Sequence, residues 1–446
     1  MKEKNYIKLV LLHVVIGVLV YLVRPFSSIY AICILAFGLY YVIKTQNKNN
    51  EVLFIAAYIV GSEVFLRMTG GGLLYESGKY GVMVFLAFGM YYSGFSKDAI
   101  PFWVYILLLL PGILVATETL NLQTDIRKQI AFNISGPVCL GVAAIYCYNR
   151  KIALSQVNNI LLALGLPIFS TTIYLILYTP ELKGILTGTD SNLETSGGFG
   201  PNQVATVLGV GMFVFFSRLL LESKTKLLFI VNLIILFNIT YRGFVTFSRG
   251  GMLTGFIMII LLLLYIYINT NTEKQYTLLG FFGFMSVALL FTWFYTSSQT
   301  GGLIEKRYAN KDAAGRSKES NLSGREEIWD SEIENFLENP VFGIGVAKSL
   351  EIREEKSGGL IIASHSEISR TIAEHGMMGI MALIIVFFTP IFLYFDNKQN
   401  IYMFSLLLFW LLTINHAAMR IAAPAFIYSL SLLKVYIDEE PSIHRE

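Results

Sequence analysis

One histidine and two arginines stand where side-chain type and spacing suit acid–base and anion chemistry. The histidine is His365, within Ser364-His365-Ser366-Glu367. Ser364 and Glu367 have the spacing of a capping box, in which side chain and backbone satisfy each other at a helix start. A helix beginning at His365 is therefore expected, with the imidazole in its first turn. There the helix dipole disfavours the imidazolium, leaving a neutral ring able to accept a proton. A lone histidine is more often structural than catalytic. The catalytic reading of His365 draws on the arginines expected on the same side.

Ser323-Gly324-Arg325-Glu326 and Ser248-Arg249-Gly250-Gly251 each set an arginine at an expected helix start. Free backbone N–H groups and a guanidinium together make an anion site suited to phosphate. At the second, Ser248 is the expected N-cap, and the glycines would let a ligand approach the backbone closely. The plainer reading of either arginine is an interfacial anchor at a helix end. Of the other histidines, His13 is expected inside a span and His375 at a helix break before Gly376. His416 should lie near the last outer turn and His444 in the polar tail. Pro340-x-x-Gly343-x-Gly345 reads as a turn rather than a nucleotide fingerprint. Walker-type lysine loops, D-x-D pairs and metal-ligand spacings are missing from the sequence, so neither a nucleotide-sugar nor a metal is indicated. Cys33, Cys139 and Cys147 sit inside apolar runs and suggest no disulfide framework.

The elements that must position these residues are membrane helices. Of the 446 residues, 54% are hydrophobic and 15% charged, and mean hydropathy is +0.59. A soluble chain would have roughly a quarter of its residues charged. The net charge of +3 is too small to argue for nucleic acid. The expected fold is an all-α polytopic membrane protein of about 12–14 transmembrane helices, because a span takes about 20 apolar residues. Spans fall near 6–23, 26–43, 52–66, 80–95, 100–117, 130–148 and 160–178. They continue near 201–221, 227–241, 250–268, 277–296, 374–395, 401–415 and 421–437. The Lys2 and Lys4 start reads as a retained first span rather than a cleaved signal. Lysine and arginine bias in the short loops favours an internal N-terminus.

That orientation leaves the one long hydrophilic segment, 297–370, outside. Its length calls for structure of its own. A helix over about 324–338 is expected, stopped by Asn339-Pro340. Trp329, Ile333, Phe336 and Leu337 on one face suggest that it lies along the membrane surface. A transporter or flippase is the competing class, but internal symmetry and charged groups near the midplane, its usual signs, are not seen in the sequence.

Several pieces together resemble the O-antigen ligase and polymerase family of bacterial surface polysaccharide assembly. They are Gly200-Pro201-Asn202-Gln203-Val204-Ala205, Ser248-Arg249-Gly250, Gly324-Arg325-Glu326-x-Ile328-Trp329 and Glu338-Asn339-Pro340-x-x-Gly343-x-Gly345. His365-Ser366, where the family commonly has His-Asn, and Glu374-x-Gly376-x-x-Gly379 follow. The likeness covers roughly residues 200–390, so the chain divides into 1–199, N-terminal helices, and 200–446, a ligase/polymerase-like region. The resemblance implies an inverting glycosyltransferase of the bacterial cytoplasmic membrane that uses no metal and no cofactor. Its implied partners are an undecaprenyl-pyrophosphate-linked oligosaccharide, the bilayer and other polysaccharide-assembly membrane proteins. It implies His365 as catalytic base and Arg249 and Arg325 as pyrophosphate-binding residues. Polymerase activity in capsule or O-antigen synthesis is expected ahead of ligase activity, since polymerases are more numerous.

Overall fold

The computed structural model describes residues 2–121, 125–182, 184–318, 325–356, 364 and 366–437. Among them, seventeen α-helices and one two-stranded sheet follow the apolar pattern of the chain. The first seven helices are α1 (Glu3–Leu22), α2 (Phe26–Thr45), α3 (Glu51–Met68), α4 (Ser77–Ser93), α5 (Ile100–Thr119), α6 (Ile126–Cys147) and α7 (Leu154–Tyr178). Then come α8 (Pro201–Leu221), α9 (Lys226–Val245), α10 (Arg249–Ile268) and α11 (Thr272–Gln299). The polar segment holds α12 (Leu303–Tyr308), α13 (Arg325–Glu338) and α14 (Lys348–Lys356). The chain returns through α15 (Glu367–Phe395), α16 (Met403–Thr413) and α17 (Ala423–Leu430). Strands β1 (Lys151–Ala153) and β2 (Lys434–Tyr436) pair in parallel, tying the end of α6 to the end of the described chain.

Each of the fourteen expected spans corresponds to one of these helices, and ten are long and apolar enough to cross a membrane. The last two differ from expectation. Eleven-residue α16 covers only about 16 Å, against a hydrocarbon core of roughly 30 Å. Together with residues 414–422, which join them at the opposite face, α16 and α17 form a pair packed on α10 and α6.

The helices run alternately up and down, which sorts the connections into two faces. On the N-terminal face, Thr225 Oγ1 donates to Glu3 at 2.5 Å and Asn397 Nδ2 to the Leu433 carbonyl at 2.5 Å. On the opposite face, Arg67 donates to the Arg420 carbonyl at 3.0 Å. The polar segment belongs to this second face. Buried α8 crosses α10 closely because both present glycines. A Cβ on Gly209 would lie 2.2 Å from the Gly251 oxygen, and one on Gly251 2.3 Å from the Ala205 carbonyl carbon. Small residues of this kind let membrane helices gain packing that apolar burial cannot supply in lipid. Gly251 therefore serves helix packing rather than ligand approach, contrary to the sequence expectation.

Helix α13 adds a polar seat to the apolar face expected of it. Its boundaries agree, but its buried residues are Glu332 and Asn335, while Trp329 and Leu337 are exposed. The helix seats on α15 through polar groups and turns its apolar side outward. The capping expectation at Ser323 falls outside the described residues.

The two faces should lie on opposite sides of the membrane. In a background lacking Cys33, Cys139 and Cys147, a cysteine at exposed Glu327 should react with an impermeant maleimide in intact cells. One at exposed Lys48 should react only after permeabilisation. The reverse pattern would invert the topology.

Candidate functional site at the second face

The site is organised by a break in α15. Gly376 has φ 60° and ψ −140°, outside helical values. In an unbroken helix the Met377 N–H would pair with the Ala373 carbonyl. Here Met377 N donates to the Pro340 carbonyl, while Ala373 O accepts from Ile344 N and Glu374 O from Gly345 N. Val346 N donates to Gly112 of α5, and Thr119 Oγ1 to the Ile344 carbonyl at 2.9 Å. The turn from Pro340 to Val346 thus fills the break and bridges to α5. Gly343 and Gly376 both have positive φ, and a Cβ on Gly376 would sit 2.6 Å from the Pro340 oxygen. Position 376 is reserved for glycine on both counts.

Docking the turn lays α13 against α15 and buries Glu332 completely. Its carboxylate takes Arg353 of α14 at 2.8 Å, Ser369 of α15 at 2.5 Å and Ser364 at 3.3 Å. Ser366 is the N-cap of α15, its hydroxyl accepting from Ser369 N. The helix therefore starts two residues later than expected, with Ser366 rather than Ser364 as cap. His365 itself lies outside the described residues. Its neighbours are held from below as well: Arg420 donates to the Ser364 carbonyl at 3.0 Å, and Glu367 N to the Ile414 carbonyl at 2.7 Å. Glu367 also ion-pairs with Arg370 and accepts from Met419 N at 3.2 Å. Arg370 reaches Asn133 of α6. Burial and the neighbouring Arg370 push the Arg420 guanidinium down from its ordinary value.

The 414–420 turn leads from here to Arg249. A Cβ on Gly250 would lie 2.7 Å from the His416 ring, and His416 Nε2 is 3.2 Å from Thr206 Oγ1. Ser248 does occupy the N-cap position of α10, but its hydroxyl makes no cap bond. It donates instead to Asn202 Oδ1 at 2.8 Å, so the start of α8 is tied to the start of α10. Arg249 Nη1 donates to the Arg307 carbonyl at 3.4 Å. Arg307 in turn donates to the Phe247 carbonyl at 2.9 Å and faces Asp190 at 3.5 Å.

Arg249 thus stands at a helix start on the same face as the segment flanking position 365. Arg325 begins α13 on that face too, and only its backbone is described. His375 is buried at the break, and a Cβ on Gly112 would come within 2.3 Å of its ring. His13 is buried inside the bundle, 2.9 Å from the Tyr58 hydroxyl. Sequence reasoning did not select Glu332, Arg353, Arg370 or Arg420. Apart from Glu367, one turn from Arg370, their partners lie far off in sequence or on another helix, which periodicity does not report. Only the pairing of Glu332 with Asn335, one turn apart on a helix with an apolar side, hinted at a polar seat.

Residues 234–384 match the family described as O-Antigen ligase, a stretch that includes α10, the polar segment and the break in α15. No curated protein matches the chain.

Removing the Glu332 carboxylate would leave Arg353, Ser364 and Ser369 facing a buried void. Glu332→Ala should cost about 3–5 kcal/mol, the range for breaking one side of a buried charge pair. A thermal melt of the purified protein in detergent would register this as a clear fall in midpoint. An unchanged midpoint would mean that the cluster contributes nothing to holding α13.

Proposed function

We propose that this member of the O-antigen ligase and polymerase family joins glycan repeat units carried on undecaprenyl pyrophosphate, outside the bacterial cytoplasmic membrane. The observation that carries the reading is the continuity of the second face. One run of contacts links Asn202, Ser248 and the start of α10 to the 414–420 turn, and that turn to the residues on either side of position 365. An anion-binding helix start and the residues flanking a candidate base are then parts of one assembly, at the surface where a lipid-linked donor presents its headgroup.

The chemistry is a single displacement at the anomeric carbon of the donor. The acceptor hydroxyl oxygen forms the new bond, the bond to pyrophosphate breaks, and configuration inverts. His365 takes the hydroxyl proton, which raises the nucleophilicity of a poor nucleophile. Arg249 and Arg325 neutralise the departing pyrophosphate, each helped by the N–H groups of a helix start. Transfer of the same donor glycan to a different acceptor, as a ligase, is the second reading. The description of the matched family favours it.

General-base assistance contributes about 10²–10⁴-fold, so His365→Ala should lower turnover by that order while protein level and donor binding hold. Arg249→Lys and Arg325→Lys should each weaken donor binding, since a point charge loses the bidentate fork. The assay is product length from extracted lipid-linked glycan on gels. Normal product from His365→Ala would remove the base assignment, and intact donor affinity in both lysine variants would make the arginines ordinary anchors.

A further inference from the structure

Beside Ser364 lies a cavity of about 70 Å³, lined by charged and apolar side chains, that the proposed chemistry does not use. Lys79, Arg353, Glu367, Arg370, Glu374 and Arg420 line it. By the measure that a water needs about 10–15 Å³ of such space, it admits a few waters or the polar edge of a larger ligand. Three of its four cations already face carboxylates: Lys79 pairs with Glu76, Arg353 with Glu332 and Arg370 with Glu367. Among the described residues the fourth, Arg420, donates to a backbone carbonyl, that of Ser364.

Glu374 supplies the complementary signal. It is only 3% exposed, it lines the cavity, and its Oε1 has no hydrogen-bond partner among the described residues. A buried carboxylate oxygen without a donor is costly, and buried polar groups are as a rule satisfied. A lining with its charges already paired does not suit a polyanion such as pyrophosphate. It suits a neutral group that both donates and accepts, which is what a hydroxyl does. The cavity adjoins Ser364, whose carbonyl Arg420 holds, one residue before the proposed base.

We propose that this cavity is the acceptor-sugar subsite. It takes a hydroxyl-bearing edge of the acceptor glycan, with Glu374 accepting from one hydroxyl and Arg420 donating to another. The inference rests on the glycan-transfer reading above and assigns the acceptor a place separate from the arginine-bearing helix starts.

The test uses the full-length protein in lipid nanodiscs, with extracted lipid-linked glycan as donor. The same glycan, released by mild acid and so lacking lipid and pyrophosphate, is the varied acceptor. Glu374→Gln keeps shape but puts an acceptor oxygen at risk of replacement by a donor. It should raise the acceptor KM about 10- to 100-fold, the worth of a hydrogen bond to a charged group. The donor KM should stay unchanged, and Arg420→Gln should act in the same direction. Saturation-transfer NMR with the released glycan should show the same loss of binding without any reaction. Glu374→Asp, which keeps the charge, should recover part of the affinity and guards against misfolding as the cause. Unchanged acceptor KM and unchanged glycan binding in folded Glu374→Gln and Arg420→Gln proteins would overturn the subsite. If the unaltered protein lengthens no glycan yet binds it in a Glu374-dependent way, the subsite stands and the transfer reading falls.

Discussion

The second face depends on one exchange of backbone hydrogen bonds. A break inside a membrane helix exposes N–H and carbonyl groups that lipid cannot satisfy, so something else must. At Gly376 that partner is the turn from Pro340 to Val346, which gives N–H groups to Ala373 and Glu374 and takes the one from Met377. The polar segment is thereby fastened to the bundle at its middle. Everything downstream of the turn follows from this anchor: α14 lies where Arg353 can reach Glu332, and α13 lies where Glu332 can reach Ser369. A side chain at position 376 would conflict with the turn through both its φ and its contact distance.

Around the anchor the charges are buried in near balance. Glu332 with Arg353, Glu367 with Arg370, Glu76 with Lys79 and Glu63 with Arg67 are each low in exposure. Such pairs add little net stability over apolar packing, because desolvation consumes most of the attraction. They do fix geometry, since breaking one side strands the other. Three of the pairs brace single helix ends, on α3, α4 and α15, and Glu332 with Arg353 joins α13 to α14 where the polar segment lands.

Much of the bundle was legible in the sequence. Long apolar runs with polar punctuation at Arg24-Pro25 or Asn149-Arg150 report membrane helices directly, and each expected span has its helix. The break before Gly376 was readable too, from a glycine after a histidine in an apolar run. Three things were not. The start of α15 moved because Ser364 and Ser366 both offer hydroxyls, and the choice between them is made by Glu332, 32 residues from Ser364. The polar seat of α13 was not visible because Glu332 finds its partners on α14 and α15, which a pattern along the chain does not report. Gly251 was read for a ligand because nothing local says that α8 lies against it. In each case the deciding contact is tertiary, and no window along the chain contains it.

The 414–420 turn is where these parts meet, touching the start of α10 through His416 and the start of α15 through Asn415, Met419 and Arg420. Its placement is the central structural claim. Ser366 Oγ and Asn415 Oδ1 are 3.5 Å apart, so cysteines at the two positions lie within reach of a short bifunctional thiol reagent. In a background without native cysteines, Ser366→Cys with Asn415→Cys should be cross-linked within the chain by a short bis-methanethiosulfonate applied to membranes, seen as a gel shift that reductant reverses. Ser366→Cys with Lys48→Cys, placed on opposite faces, should not. Failure of the first pair to cross-link, with the folded protein present, would contradict the account.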